Sequence, residues 1–300
     1  MALKGQKSRV LGWKNFEKEV AGHVRTAEPH ENIVTLLAAF THAGRRYLLF
    51  PWADGGNLED LWTKLMPEGR EIGPPLPPWC SSDWVWDQCR GLANGLSFIH
   101  GFQAPSSPDS PKVVPQLHAD IQPTNILCFE TRDQRGELSY ILKITDFEFS
   151  AEFSEPGSTD EIPVSHMVPT YSPPEIWEHE QEDKQKIAQN WDVWCLGCIY
   201  LEFLSWFLYG YKEGIVHFAR ERIDEKHDSG ALNVLQSRLE DENYFRIILK
   251  RTLSKKLFHS RKTRVGYEIR QRVIEVRYSE TGPQVPTQRR VLGFSGSHIA

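Results

Sequence analysis

Three hundred residues suffice for one large domain or two lobes around a substantial core. With 40% hydrophobic, 25% charged and 11% aromatic residues, the chain has a soluble globular balance, which excludes disordered and collagen-like classes. A net charge of −5 makes no general case for nucleic acid, yet between Arg246 and Ala300 thirteen Lys/Arg face three Asp/Glu. Five cysteines, an odd number without framework spacing, point to a reducing cytoplasmic or nuclear compartment. The opening Met1-Ala2-Leu3-Lys4 lacks the apolar region of a signal peptide.

In chain order, Asn15 to Thr26 is expected to be a helix, with Phe16, Val20 and Val24 recurring every four residues. Ile33 to Phe40 and Tyr47 to Phe50, separated by Thr41-His42-Ala43-Gly44, predict a hairpin of buried strands. Asp54-Gly55-Gly56 is a turn before a short helix over Leu58 to Leu65. Met66 to Pro78 is an irregular Pro/Gly loop. Helical periodicity returns from Asp83 to His100, and Gly101 to Pro115 is a Pro/Ser-rich surface insertion. Ile126 to Phe129 and Tyr140 to Ile144 are short strands around a polar turn. Trp191 to Tyr209 is the most hydrophobic helix. Its apolar stretch is rather short for a membrane span and carries Glu202, so a buried central helix is expected. Tyr244 to Lys255 is a helix candidate, Arg264 to Tyr278 a strand candidate, and the residues from Ser279 a tail.

The chemistry concentrates in Leu117-His118-Ala119-Asp120-Ile121-Gln122-Pro123-Thr124-Asn125-Ile126-Leu127. Asp120 followed five residues later by Asn125, just before a strand, puts a carboxylate and an amide on one tight loop. Phosphoryl transfer needs such a pair: one to orient the attacking hydroxyl, the other as a neutral magnesium ligand. About twenty residues on, Lys143-Ile144-Thr145-Asp146-Phe147-Glu148 ends an apolar strand with a second carboxylate suited to Mg2+. Either signal alone reads as turn capping; the ordered pair is far more specific.

Together these segments resemble the eukaryotic protein kinases, from about Ala2 to about Lys255. Asp120 to Asn125 looks like the catalytic loop, Asp146-Phe147-Glu148 like D-F-G, and Pro173-Pro174-Glu175 like A-P-E. Trp191 to Ile199 is similar to the D-V-W-S-L-G-C segment of the central helix, and His30-Glu31-Asn32-Ile33-Val34 to H-P-N-I-V. The resemblance implies ATP and Mg2+ as cofactors and a protein substrate, with neither nucleic acid nor membrane as partner. It assigns catalysis to Asp120 and Gln122, and metal binding to Asn125 and Asp146. Nucleotide contacts fall to Lys4, Glu19 (with Glu17 as fallback), the gatekeeper-like Phe50, and the hinge residues Pro51 and Ala53. Glu175 and Asp192 become structural, Asp192 accepting hydrogen bonds from the catalytic-loop backbone. The implied fold is α+β and bilobal: a small lobe of antiparallel strands plus helix C, lacking strands one and two, on a mostly helical large lobe. The expected division is 1–52, 53–260 and a divergent basic tail over 261–300.

Several positions depart from the pattern. No glycine-rich loop precedes Lys4. Ala119 stands where the family carries an arginine, Gln122 where it carries a lysine, Glu148 in place of glycine, and Val168 in place of threonine. Gln122 removes a positive charge where negative charge develops in transfer. Three functions stay open: an active Ser/Thr kinase, a pseudokinase that binds or scaffolds, and a small-molecule kinase of the aminoglycoside or choline type. The last shares H-x-D-x-x-x-x-N and often D-F-E, but lacks a counterpart to Pro173-Pro174-Glu175 and to the Asp192 helix.

Overall fold

The computed structural model describes residues 1–6, 11–25, 29–65, 76–102, 114–132, 136–153, 155, 159–162, 169–173, 185–220, 245–251 and 263–269. The chain starts with a small antiparallel sheet in the order β1-β3-β2: β1 (Ala2–Gln6), β2 (Ala38–His42) and β3 (Arg45–Phe50). Register sets Lys4 opposite Leu48 and Ala2 opposite Phe50. Leu48 and Phe50 alternate inward with Val34 to form a small core, on which Phe16 and Val20 of helix α1 (Leu11–Arg25) pack.

Two expectations change here. Val24 is 66% exposed. Eight residues advance a helix about 80° past two full turns, so the stripe that starts at Phe16 passes through Glu19 and Val20 to His23. The run from Ile33 to Phe40 is not one buried strand either. Ile33 and Val34 are buried ahead of β2, whose residues from Ala39 to His42 are exposed along the sheet edge. The Val34 N–H donates to the Ile144 carbonyl at 2.9 Å, and the Ile144 N–H to the Asn32 carbonyl at 2.8 Å. The burial goes into docking this segment on the larger body.

That body is built on helices α2 (Leu58–Leu65), α3 (Ser82–Ile99) and α4 (Asn190–Tyr211). Helix α2 opens on a reciprocal cap: the Asp60 N–H donates to Asn57 Oδ1 at 2.9 Å, and the Asn57 N–H to Asp60 Oδ2 at 3.1 Å. Ser81 caps α3 by accepting from the Trp84 N–H. A second sheet, in the order β4-β6-β7, joins β4 (Gly56–Asn57), β6 (Ile126–Arg132) and β7 (Leu138–Ile144). Helix α3 grips β7 through polar contacts: Trp84 Nε1 donates to the Tyr140 carbonyl, and the Leu142 N–H donates to Gln88 Oε1. Trp84 is buried with Trp79 edge-on against it, whereas Trp86 is 70% exposed.

Helix α4 is the central element. Residues 190–220 are long and apolar enough to cross a membrane, but half of the apolar 18-residue window within them is buried inside the protein. Trp206 faces Trp62, and Phe203 lies against both. Gly210, at φ 80°, breaks the helix where a side chain would be strained.

Smaller pairings complete the described parts: β5 (Gln116–Leu117) with β8 (Ala151–Glu152), and β9 (Thr159–Ile162) with β10 (Gln185–Ala188). The helix expected over Tyr244 to Lys255 is instead strand β11 (Phe245–Arg251), paired with β12 (Thr263–Ile269). Its short apolar run with two adjacent isoleucines carries no decisive period, and β-branched residues favour the strand. Val168, Glu175, most of both expected surface loops and the tail lie outside the described residues. The architecture is α+β, with antiparallel sheets against helices.

Candidate active site

Residues 142 positions apart meet at the junction of the two sheets. Lys4 Nζ donates to Glu19 Oε1 at 2.9 Å and to both Asp146 carboxylate oxygens at 3.0 Å. Glu19 is completely buried, while the fallback Glu17 is exposed and takes no part. Burial alone lowers the Lys4 pKa, but Asp146 and Glu19 together outweigh it and raise it. For Glu19 burial dominates, and its carboxyl is pushed up to about 7 despite the Lys4 ammonium.

Close packing brings α1 to this point. A Cβ on Gly22 would stand 2.5 Å from Phe147 Cβ and 2.8 Å from Ser150 Oγ, so only glycine allows the approach. Gln116 Nε2 donates to the Gly22 carbonyl from the other side. Phe147 is fully buried between two imidazoles, with ring centroids 4.6 Å from His23 and 5.0 Å from His118. This stack holds Asp146, whose φ of 68° lies in the left-handed region, so that its carboxylate faces Lys4.

The Asp120 loop is pinned from beneath by Asp192, which is wholly buried. Asp192 Oδ2 accepts from the His118 N–H at 2.7 Å and Oδ1 from the Ala119 N–H at 2.9 Å; His100 Nε2 lies 2.9 Å from Oδ2. Ala119 has a φ of 65°, a strained value for an alanine, and the two charge-assisted bonds offset that strain. Above it, Gln122 Nε2 donates to Asp120 Oδ1 at 2.8 Å and Asn125 Nδ2 to Oδ2 at 2.6 Å. Burial raises the Asp120 pKa against the opposing effects of His118 and these two amides.

A cavity of about 370 Å³ opens between the sheets. Lys4, Glu19, Asn125 and Asp146 line it together with Phe50, Pro51 and Ala53. All described nucleotide and metal candidates therefore face one space, with Asp120 and Gln122 on the loop that ends at Asn125. Asn57 and Asp60 also line the cavity and were missed; the Asn57-x-x-Asp60 cap after the Gly55-Gly56 turn was the available signal. His23 was missed too, although it sits four residues after Glu19 on the same face of α1. The Cys195-x-x-Cys198 pair is packed in the core. Cys195 Sγ lies 3.1 Å from the Tyr171 carbonyl, and burial pushes its thiol well above the usual range.

A family model of the protein kinase domain matches residues 1–251. The chain belongs to the protein kinase family. Cyclin-dependent kinase 2 of Caenorhabditis elegans is 30% identical over 178 residues, covering 59% of this chain and 38% of that protein. Cyclin-dependent kinase-like 2 of Rattus norvegicus is 28% identical over 176 residues, 58% of this chain and 27% of that protein. Serine/threonine-protein kinase STE20 of Yarrowia lipolytica is 26% identical over 176 residues, 59% of this chain and 12% of that protein. The chain thus spans less than half the length of these relatives.

Proposed function

We propose that this chain is a protein serine/threonine kinase domain with weakened phosphoryl transfer from ATP. The observation that carries this reading is the Lys4–Glu19 and Lys4–Asp146 pairing in the cavity that Asn125 of the Asp120–Asn125 loop also lines. The donor set suits the cofactors: a carboxylate and an amide for a hard divalent ion, and a fixed ammonium for phosphate oxygens. Magnesium, when bound, neutralises charge on the transferring phosphate. Asn125 and Asp146 would hold it, and Lys4, positioned by Glu19, would hold the nucleotide phosphates. Phe50, Pro51 and Ala53 line the same cavity and would receive the base, Pro51 offering its carbonyl and Ala53 its N–H. Asp120 orients the acceptor hydroxyl and takes its proton, a role favoured by the raised pKa of its carboxyl.

Gln122 supports the attenuation. Its amide occupies one oxygen of Asp120 and brings a dipole where a full charge is needed. Losing one such electrostatic contact costs about 3 kcal/mol, or roughly a hundredfold in rate. The same clamp favours the second reading, a pseudokinase that keeps the nucleotide cavity as a binding module. Ala119 cannot pair a phosphate, so activity is independent of phosphorylation at Ser158 or Thr159. Residues 1–52 form the small lobe with the start of the hinge, 53–260 the large lobe, and 261–300 a basic tail. The five free cysteines fit a cytoplasmic or nuclear location.

The test is radiolabelled ATP with a generic basic protein, comparing the chain with Asp120→Asn and Asp146→Asn. Slow transfer lost in both variants supports the kinase. Transfer at about 1–100 per second, abolished by both, refutes the attenuation. Absent transfer with nucleotide binding lost in Asp146→Asn selects the pseudokinase.

A further inference from the structure

Lys4 is the one cation among the described residues that line the cavity. An ammonium carries three N–H donors, and here Glu19 Oε1 at 2.9 Å and the two Asp146 oxygens at 3.0 Å accept them. Phosphate oxygens therefore meet a cation whose donors are already committed. The surrounding charge opposes them as well. Glu19, Asp60 and Asp146 line the same space, and Glu148 Oε2 stands 3.7 Å from Lys4 Nζ. Gln122 brings an amide and no positive charge to the neighbouring loop. The rest of the lining differs in character. Ala2, Phe50, Trp52 and Leu127 give the cavity apolar surface, which suits a flat heteroaromatic ring. Trp52 is 60% exposed although it lines this space, leaving apolar area for such a ring to cover.

We propose that the cavity takes a neutral purine nucleoside in preference to the metal-free nucleoside triphosphate, because Glu19, Asp146 and Glu148 already engage the ammonium that phosphate would need. Charge sets the order. Like charges a few ångströms apart in a partly buried space repel more strongly than they do in water, and the triphosphate brings several of them. A nucleoside avoids that repulsion and keeps the apolar contacts, together with hydrogen bonds to the Pro51 carbonyl and the Ala53 N–H. Lys4 regains donors for phosphate only when Asp146 turns to a divalent ion. The inference deepens the nucleotide reading given above and rests on it.

The test is calorimetric titration of the full chain with adenosine, with ATP in EDTA, and with ATP and Mg2+. Adenosine is expected to bind about tenfold tighter than ATP in EDTA, and Mg2+ to narrow that gap. Glu148→Gln is expected to tighten binding of ATP in EDTA about threefold and to leave adenosine unchanged, which also shows that the variant is folded. ATP in EDTA binding as tightly as adenosine overturns the proposal. So does a Glu148→Gln chain in which the preference for adenosine is unaltered. Either result leaves the kinase reading standing, whereas a chain that binds neither adenosine nor ATP with Mg2+ overturns both.

Discussion

At the scale of single residues, Asp192 and Gln122 act on the Asp120 loop from opposite sides. Asp192 takes two backbone N–H groups and approaches a buried imidazole, while being wholly buried itself. Asp192→Ala leaves all three partners without their acceptor, so a loss of about 3–5 kcal/mol is expected, read by urea unfolding. Gln122 is different in kind: it lies at the surface of the site and answers to charge. Gln122→Lys is expected to raise transfer about tenfold to a hundredfold, and Gln122→Ala to leave it low although Asp120 gains a free oxygen. Equal rates in both variants would assign the slowness to the clamp and not to the missing charge.

Among the elements, α1 has the least tolerance. Its close approach depends on Gly22 against Phe147, and its Glu19 reaches Lys4 only from there. Gly22→Ala is expected to push the helix outward at a cost of about 1–3 kcal/mol and to weaken nucleotide binding in parallel. Equilibrium unfolding and a nucleotide-binding titration read the two effects. A full stability loss with unchanged nucleotide affinity would uncouple the helix from the site.

This helix also shows how far the sequence is legible. Spacing beside apolar strands singled out Asp120, Asn125 and Asp146, and the family resemblance added Lys4 and Glu19; the fold brings Lys4, Glu19, Asn125 and Asp146 around one cavity. Helical periodicity found α3, the turn at Gly55-Gly56 preceded the expected α2, and apolar content marked α4. Local pattern failed where burial comes from a long-range contact. Ile33 and Val34 are apolar because they dock beside Ile144, and no local pattern distinguishes that from a strand. Phe245 to Arg251 is too short for period to arbitrate between helix and strand. Asn57, Asp60 and His23 were passed over because capping and packing residues look ordinary until the chain folds around them.

For the whole molecule, two buried groups near the site oppose each other as pH changes. Burial lowers the His23 imidazole from 6.5 to about 4, so the unfolded chain binds more protons between those values. Stability from His23 is complete above 6.5 and lost as pH falls. Glu19, raised from 4.5 to about 7, contributes stability below 4.5 that is lost as pH rises through 7. Between 4.5 and 6.5 the slopes cancel in part. Glu19→Gln removes one side, so its unfolding free energy is expected to rise by about 3 kcal/mol from pH 4 to 6.5 while the parent stays nearer flat. Urea titrations across that range decide it; equal slopes would place the titrating group elsewhere.

Strand β1 pairs with β3 along one side, and among the described residues no strand pairs with its other side. It also presents Leu3 at 55% exposure. An open strand edge of this kind templates further strands, so purified chain should self-associate as its concentration rises, edge to edge. Replacing Leu3 with lysine puts a repelling charge on that rim. Sedimentation velocity across a concentration series should show the weight-average mass climbing for the parent and staying near a single chain for Leu3→Lys. A parent that remains one chain throughout would mean this edge is already covered.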